Sequence, residues 1–137
     1  MITINLNQTP AGYAPGESIG GTVEWAELNE KTSRFEIRLI WYTEGKGDTD
    51  FAIIETITED SPAPTGSKRF GFVAPTRPFS FSGKLISLIW AVEVVEFPSR
   101  DGAKETLTIS SDRNEIMLEN SFPDDSMAKK FVRFSNE

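Results

Sequence analysis

The sequence contains no cysteine and no histidine. Without cysteine the chain cannot form a disulfide scaffold or use a thiol nucleophile, and without histidine it cannot build a Ser-His-Asp triad. The usual zinc sites draw on the same two residue types and are excluded as well. The chemistry that remains is a carboxylate pair, a Ser-Lys dyad, or a hard-metal site made of oxygen ligands.

The chain is also poor in positive charge and in long apolar runs. It has 14 Lys and Arg against 21 Asp and Glu, a formal charge of -7, which disfavours nucleic acid as a partner. The longest apolar run is interrupted by Ser87 and Glu93 and is shorter than the roughly 20 residues that span a bilayer. The amino terminus shows no signal peptide. We therefore expect a cytoplasmic protein with no nucleic-acid partner and no membrane span.

Apolar and polar residues alternate along much of the chain with the period of β-strands. This pattern predicts strands at residues 2–6, 18–25, 34–43, 50–58, 68–75, 84–97, 105–111 and 114–119. In the fourth of these segments we expect Phe51, Ile53 and Ile57 to face the core. Turn-rich segments separate the strands at the spacing of an antiparallel sandwich. The sequence thus predicts an all-β, immunoglobulin-like antiparallel sandwich of about seven or eight strands, forming a single domain over residues 1–137.

Residues 119–137 form a tail that we expect to pack on the sandwich. Met127, Phe131 and Phe134 recur at helical spacing, with Ser126 placed as an N-cap. Residues 130–134 would equally suit a final edge strand, so the pattern leaves helix and strand open.

The stretch YAPGESIGGTVEW, residues 13–25, contains four residues with special backbone properties. Pro15 and Gly16 suit the two central positions of a type II turn, since proline fixes one dihedral angle and glycine permits a positive φ. Gly20 and Gly21 leave two successive strand positions without side chains, which indicates a bulge or the close approach of another segment.

The same stretch resembles the tyrosine-x-proline-glycine-acid signature, followed by an isoleucine and a glycine-x-valine, of arrestin-like amino-terminal domains. Prolines, a serine turn and a glycine then lead into a long strand with a central aromatic residue, as they do in that family. These positions are Pro75, Pro78, Ser80, Gly83 and Trp90. The resemblance covers residues 2–118 in matching order and spacing.

The resemblance implies a noncatalytic protein-binding adaptor or scaffold built on an arrestin-like sandwich, with no catalytic residues, metal or cofactor. Arrestins carry two such sandwiches, whereas this chain has room for one. Paired lysines that would match an arrestin phosphate sensor are absent, so phosphate-triggered rearrangement is not implied.

The strand at residues 84–97 is apolar on both faces. A sandwich strand needs one apolar face, so the second face requires a cover: the tail, a loop, a partner protein or a second copy of the chain. The predicted partner surface comprises Ile40, Tyr42, Leu85, Ile89, Ala91, Val95 and Phe97. Strand addition at an open sheet edge is a second mode of recognition. The sequence leaves open whether the partner is another protein or a second copy in a homo-oligomer.

The loop RPFSFSG supports an alternative function, a ligand- or carbohydrate-binding sandwich. There Arg77, Phe79 and Phe81 would contact a peptide or a glycan. The competing interpretation is that these residues form the turn into the next strand and plug the end of the sandwich. The three tryptophans lie on the apolar sides of their strands and are expected in the core.

Two weak chemical motifs remain. Asp48 and Asp50 lie in a glycine-containing turn but do not have EF-hand spacing. Ser126 and Lys129 match a Ser-x-x-Lys pattern without the supporting motifs of that class. We therefore predict no catalytic, metal-binding or cofactor-binding residue.

Overall fold

The computed structural model describes residues 1–8, 11–45, 49–83, 86–111 and 116–118. These residues form ten β-strands and no helix. The strands are β1 (Ile2–Leu6), β2 (Gly12–Tyr13), β3 (Ser18–Trp25), β4 (Arg34–Gly45), β5 (Phe51–Asp60), β6 (Gly66–Val73), β7 (Phe81–Gly83), β8 (Ile86–Phe97), β9 (Gly102–Ile109) and β10 (Ile116–Leu118). The predicted all-β class is confirmed. A membrane-spanning helix, which needs a long apolar segment, is found nowhere in the described ranges.

The strands form two sheets. The smaller sheet has the order β1-β3-β6 and is antiparallel throughout. In the larger sheet β5, β4 and β8 pair antiparallel in that order, and β7 and β9 both pair with β8. The short strands β2 and β10 pair parallel with β9 and β7 respectively. The structure adds β2 and β7 to the strands expected from the alternation, because each is too short to show a period.

The core lies between the two sheets and contains most of the residues that the alternation assigns to it, with Trp41 half-buried against it. Trp25 from the smaller sheet meets Phe35 from the larger one edge to face, with ring centroids 4.8 Å apart. Trp90 is fully buried, and its indole N–H donates to the carbonyl oxygen of Pro78 at 2.8 Å. Further buried members of this core are Ile4, Ile19, Val23, Ile37, Leu39, Phe70, Phe72, Leu88, Val92, Val94, Leu107 and Ile109. The antiparallel sandwich is therefore confirmed.

The glycine-rich entry to β3 has the two functions that its sequence suggested. Gly16 has a φ of 87°, and the backbone N–H of Glu17 donates to the carbonyl oxygen of Ala14 at 3.1 Å, which closes the predicted turn. A Cβ at Gly21 would collide with the carbonyl oxygen of Asn5 and would lie 2.7 Å from the Phe70 ring. The missing side chain thus admits the Phe70 ring and lets β1 approach.

A β-bulge changes which side chains of β5 face the core. Leu39 pairs with Glu55 and the next residue, Ile40, pairs with Ile53, so Ile54 is the extra residue of β5. Because side chains alternate between faces, one extra residue moves the rest of the strand to the opposite face. The prediction that Phe51 and Ile53 face the core is therefore wrong, and these side chains are 55% and 45% exposed. Ile57, which lies on the other side of the bulge, packs against the core as predicted.

Several predictions concern residues outside the described ranges. They are the packing and conformation of the tail at 119–137, the Ser126 and Lys129 pair, Asp48, and the partner-surface residue Leu85.

Candidate functional site

The outer face of the larger sheet, which points away from the core, has a charged end. There Arg38 donates to Glu36 at 2.9 Å and approaches Glu93 at 3.6 Å. The hydrogen bond from Arg38 holds the pKa of the Glu36 carboxyl below its ordinary value, with a further contribution from Arg34, while partial burial acts against it. The charges at this end therefore largely compensate one another.

Phe97 lies at the same end beneath a group of arginines. The guanidinium carbon of Arg34 is 4.1 Å from the centre of the Phe97 ring, and those of Arg38 and Arg100 are both 5.7 Å away. Guanidinium groups stack favourably on aromatic rings in this distance range. Phe97, one of the predicted partner-surface residues, is thus half-buried by the chain's own cations.

The centre of the outer face is closed. Ile40 and Ala91 lie opposite each other on β4 and β8 and are 1% and 0% exposed. The Lys104 ammonium lies 4.2 Å from the centre of the Tyr42 ring, and these two residues belong to the strands that flank β8. The contact therefore passes over β8, on the face that carries Ala91.

The predicted partner surface has to be corrected at Ile40 and Ala91. An outward position in the alternation does not ensure exposure, because a contact between two other strands, here that of Lys104 with Tyr42, can cover it. The remaining described members, Tyr42, Ile89 and Val95, are half-buried, as is Phe97.

The exposed apolar side chains of this sheet lie instead on β5. Phe51, Ile53 and Ile54 are 55%, 45% and 45% exposed, and we call these three residues the β5 patch. Phe51 is opposite Tyr42, which is in turn opposite Ile89. The patch is therefore continuous with two residues of the predicted surface. The sequence signal that was missed is the adjacent pair Ile53-Ile54, which breaks the alternation at the bulge.

One edge of β5 is unpaired, since in the described part of the chain this strand pairs with β4 alone. A backbone hydrogen bond lies at each end of the β4-β5 pairing. At one end the N–H of Thr43 donates to the carbonyl oxygen of Asp50 at 3.0 Å, and at the other the N–H of Ser61 donates to the carbonyl oxygen of Ser33 at 2.9 Å. Backbone groups along an antiparallel strand point to alternate sides. Counting from these two bonds, the residues whose N–H and C=O groups point away from β4 are Phe51, Ile53, Thr56, Thr58 and Asp60.

The charged residues of β5 are all acidic. Glu59 pairs with Lys68 of β6 at 3.0 Å. Glu55 and Asp60 are exposed and have no ion-pair partner among the residues that the structure describes. The edge thus combines free backbone groups, an apolar patch and uncompensated negative charge.

The loop proposed for glycan contact is held against the sandwich. Phe79 and Phe81 are half-buried and pack against the core, while Arg77 is exposed. Between them Ser80 is buried, and it exchanges two hydrogen bonds with Ile109, at 2.8 and 3.0 Å. This arrangement agrees with the interpretation that the loop plugs the end of the sandwich, and it does not offer two exposed rings to a sugar.

Across the described ranges, no group of three or more acidic side chains is placed to hold a metal ion. Asp50, the described member of the aspartate pair in the β4-β5 turn, donates its backbone N–H to the Thr43 hydroxyl at 2.8 Å and has a structural position in the hairpin.

The fold and the site define a β-sandwich protein with an exposed, acidic edge strand beside an apolar patch. No family model matches the chain, and no curated protein sequence matches it. Among solved structures the chain is similar to Spo0M, a sporulation control protein from Bacillus subtilis, with 15% identity and a TM-score of 0.48. The match covers 80% of this chain and 48% of that protein, so the chain spans about half the length of Spo0M.

Proposed function

We propose that this protein is a noncatalytic protein-binding adaptor or scaffold, and that its partner surface is the β5 patch together with Tyr42 and Ile89. The observation that carries the proposal is the exposure of Phe51, Ile53 and Ile54 side by side at the rim of the larger sheet. Clustered exposed apolar side chains bordered by polar residues are a common mark of protein interfaces.

The surroundings of the patch support this assignment. Tyr42 and Ile89 extend it towards the sheet centre, and aromatic residues are favoured anchors in interfaces. The resemblance to arrestin-like domains favours an adaptor over an enzyme, as an analogy at the level of the fold. The lack of cysteine fits a cytoplasmic location, which is part of the same proposal.

Two matched variants test the partner surface. Ile53→Glu introduces a charge into the β5 patch, whereas Val73→Glu makes a comparable change at an exposed residue of β6, in the other sheet. Both variants should keep the thermal unfolding transition and the circular dichroism of the native protein. In crosslinking and pull-down experiments we expect Ile53→Glu to lose the partner and Val73→Glu to retain it.

Light scattering identifies the partner class. An oligomer that becomes monomeric with Ile53→Glu, and not with Val73→Glu, would show that a second copy occupies the patch. Identical partners and masses for all three proteins would overturn the assignment of the surface. Turnover in a hydrolase screen that disappears on substitution of an acidic residue would overturn the noncatalytic part of the proposal.

A further inference from the structure

We propose that the free edge of β5 accepts an added β-strand from a different protein, and that this strand carries basic side chains. The inference rests on the proposed protein-binding function and specifies the mode of binding and the chemistry of the partner. It follows from three features of β5: its free backbone groups, its exposure and its charge.

The edge of β5 is suited to strand addition. The backbone groups of Thr56, Thr58 and Asp60 form a continuous row on the side away from β4, and those of Phe51 and Ile53 follow beyond the bulge. Natural edge strands are usually protected by lysine, by proline, by short length or by bulges. β5 is ten residues long and contains no lysine and no proline, so its protection consists of the bulge at Ile54 and of three acidic side chains, which deter a second acidic strand and attract a basic one.

Little side-chain packing obstructs this edge. Along β5 three residues are half-buried, Ala52, Ile57 and Glu59, and all others are exposed. An incoming strand would therefore gain backbone hydrogen bonds and bury apolar surface of the β5 patch without displacing core side chains. Main-chain pairing with side-chain pockets is the usual basis of recognition by strand addition.

The acidic side chains near the β5 edge indicate which kind of strand would pair with it. Glu55 and Asp60 have no ion-pair partner among the described residues, and Asp50 and Glu44 at the nearby hairpin end are also exposed acids. A second copy pairing through the same edge would place these like charges close together, which is unfavourable for cross-strand neighbours. The whole chain has a formal charge of -7, which adds to that repulsion. A basic strand is attracted by the same charges.

The register of β5 also indicates where the partner's side chains belong. Glu55 pairs with Leu39 and is on the core-facing side of the sheet, whereas Thr56, Thr58 and Ile53 are on the outer side. An added strand would place lysine or arginine next to Glu55 on one side. On the other side it would place β-branched or aromatic residues next to Ile53.

Two synthetic peptides of about ten residues, a common strand length, provide the probe. Both alternate Thr or Val with a charged residue, which is Lys in one peptide and Glu in the other. By fluorescence anisotropy we expect the native protein to bind the Lys peptide and not the Glu peptide. Glu55→Lys should weaken binding of the Lys peptide, whereas Glu105→Lys, the same charge change at an exposed residue of β9, should leave it intact.

A second pair of variants tests the backbone contact. Thr58→Pro removes an N–H that points away from β4 and so leaves the β4-β5 pairing intact. Relative to Thr58→Ala, we expect Thr58→Pro to lower the affinity for the Lys peptide by at least about fivefold, which is the effect of one lost hydrogen bond. Hydrogen exchange should show slower exchange of the Thr56 and Thr58 amides when the Lys peptide is bound.

The outcomes separate this inference from the function on which it rests. Equal binding of the two peptides, or no protection at Thr56 and Thr58, would overturn strand addition by a basic segment. If Ile53→Glu abolishes partner recovery while the Lys peptide fails to bind, strand addition is overturned and the proposed function stands. If Thr58→Pro proves unfolded, the comparison of Lys-peptide binding by Glu55→Lys and Glu105→Lys still decides whether a basic strand binds at this edge.

Discussion

Gly21 is the position where a single added methyl group tests the packing most directly. In the structure it lies opposite Leu6 of β1 and Phe70 of β6. The Cβ of Gly21→Ala would meet the carbonyl oxygen of Asn5, which belongs to the β1-β3 pairing, and would lie 2.7 Å from the Phe70 ring. The ring and the β1 backbone therefore both have to move.

The expected cost follows from that geometry. Overpacking a well-filled site costs typically about 1–3 kcal/mol, and we take about 2 kcal/mol here because one of the two clashing groups is backbone. For a chain of this size such a loss lowers the unfolding temperature by about 6–10 °C. Urea unfolding followed by tryptophan fluorescence should show a lower midpoint with an unchanged slope.

Gly71→Ala is the matched control, because a Cβ built at Gly71 has no heavy atom within 4 Å. This variant should be as stable as the native protein or slightly more stable, since alanine restricts the unfolded chain. In a Phe70→Leu background the cost of Gly21→Ala should be smaller, because part of the ring is gone. Equal stability of Gly21→Ala and Gly71→Ala would refute the close approach described here.

Two further predictions concern the bulge and the charged end of the outer face. Ile57→Thr should destabilise the protein by about 1 kcal/mol because Ile57 packs against the core, whereas Ile53→Thr should stay within about 0.5 kcal/mol in urea unfolding. Similar losses for both would mean that the strand has no bulge. The pKa of Glu36 is lowered in the folded protein, so its ion pairs stabilise the fold above the ordinary pKa of 4.5 and the gain is lost as the pH falls through the folded pKa. Glu36→Gln should therefore be less stable than the native protein near pH 7, by less than about 1 kcal/mol, and the gap should close in acid. A gap that does not change with pH would contradict this origin.

The register of β5 shows how one residue limits a sequence-based prediction. Phe51, Ile53 and Ile57 have the same parity, so simple alternation places all three in the core. The structure inserts Ile54 as an extra residue, and this reverses the faces of Phe51 and Ile53. The adjacent isoleucines Ile53 and Ile54 are compatible with a bulge, but two neighbouring apolar residues also occur in strands that have no bulge.

The sequence by itself determined the class of fold and most of the core. Strand alternation is local, because each side chain points to the face opposite that of its neighbour, and it placed Phe35, Ile37 and Trp90 correctly. The turn at Gly16 was equally predictable, since proline and glycine restrict the backbone directly.

Only the tertiary structure decided which outward residues are exposed and which strand is an edge. Ala91 is buried beneath a contact between Tyr42 and Lys104, which belong to two other strands, and Ile40 is buried although the alternation points it outward. Among the strands that the structure describes, the order places β5 last beside β4, and its other edge is therefore free. Exposure and edge position depend on contacts between segments far apart in the chain, and for that reason the candidate binding site moved from β8 to β5.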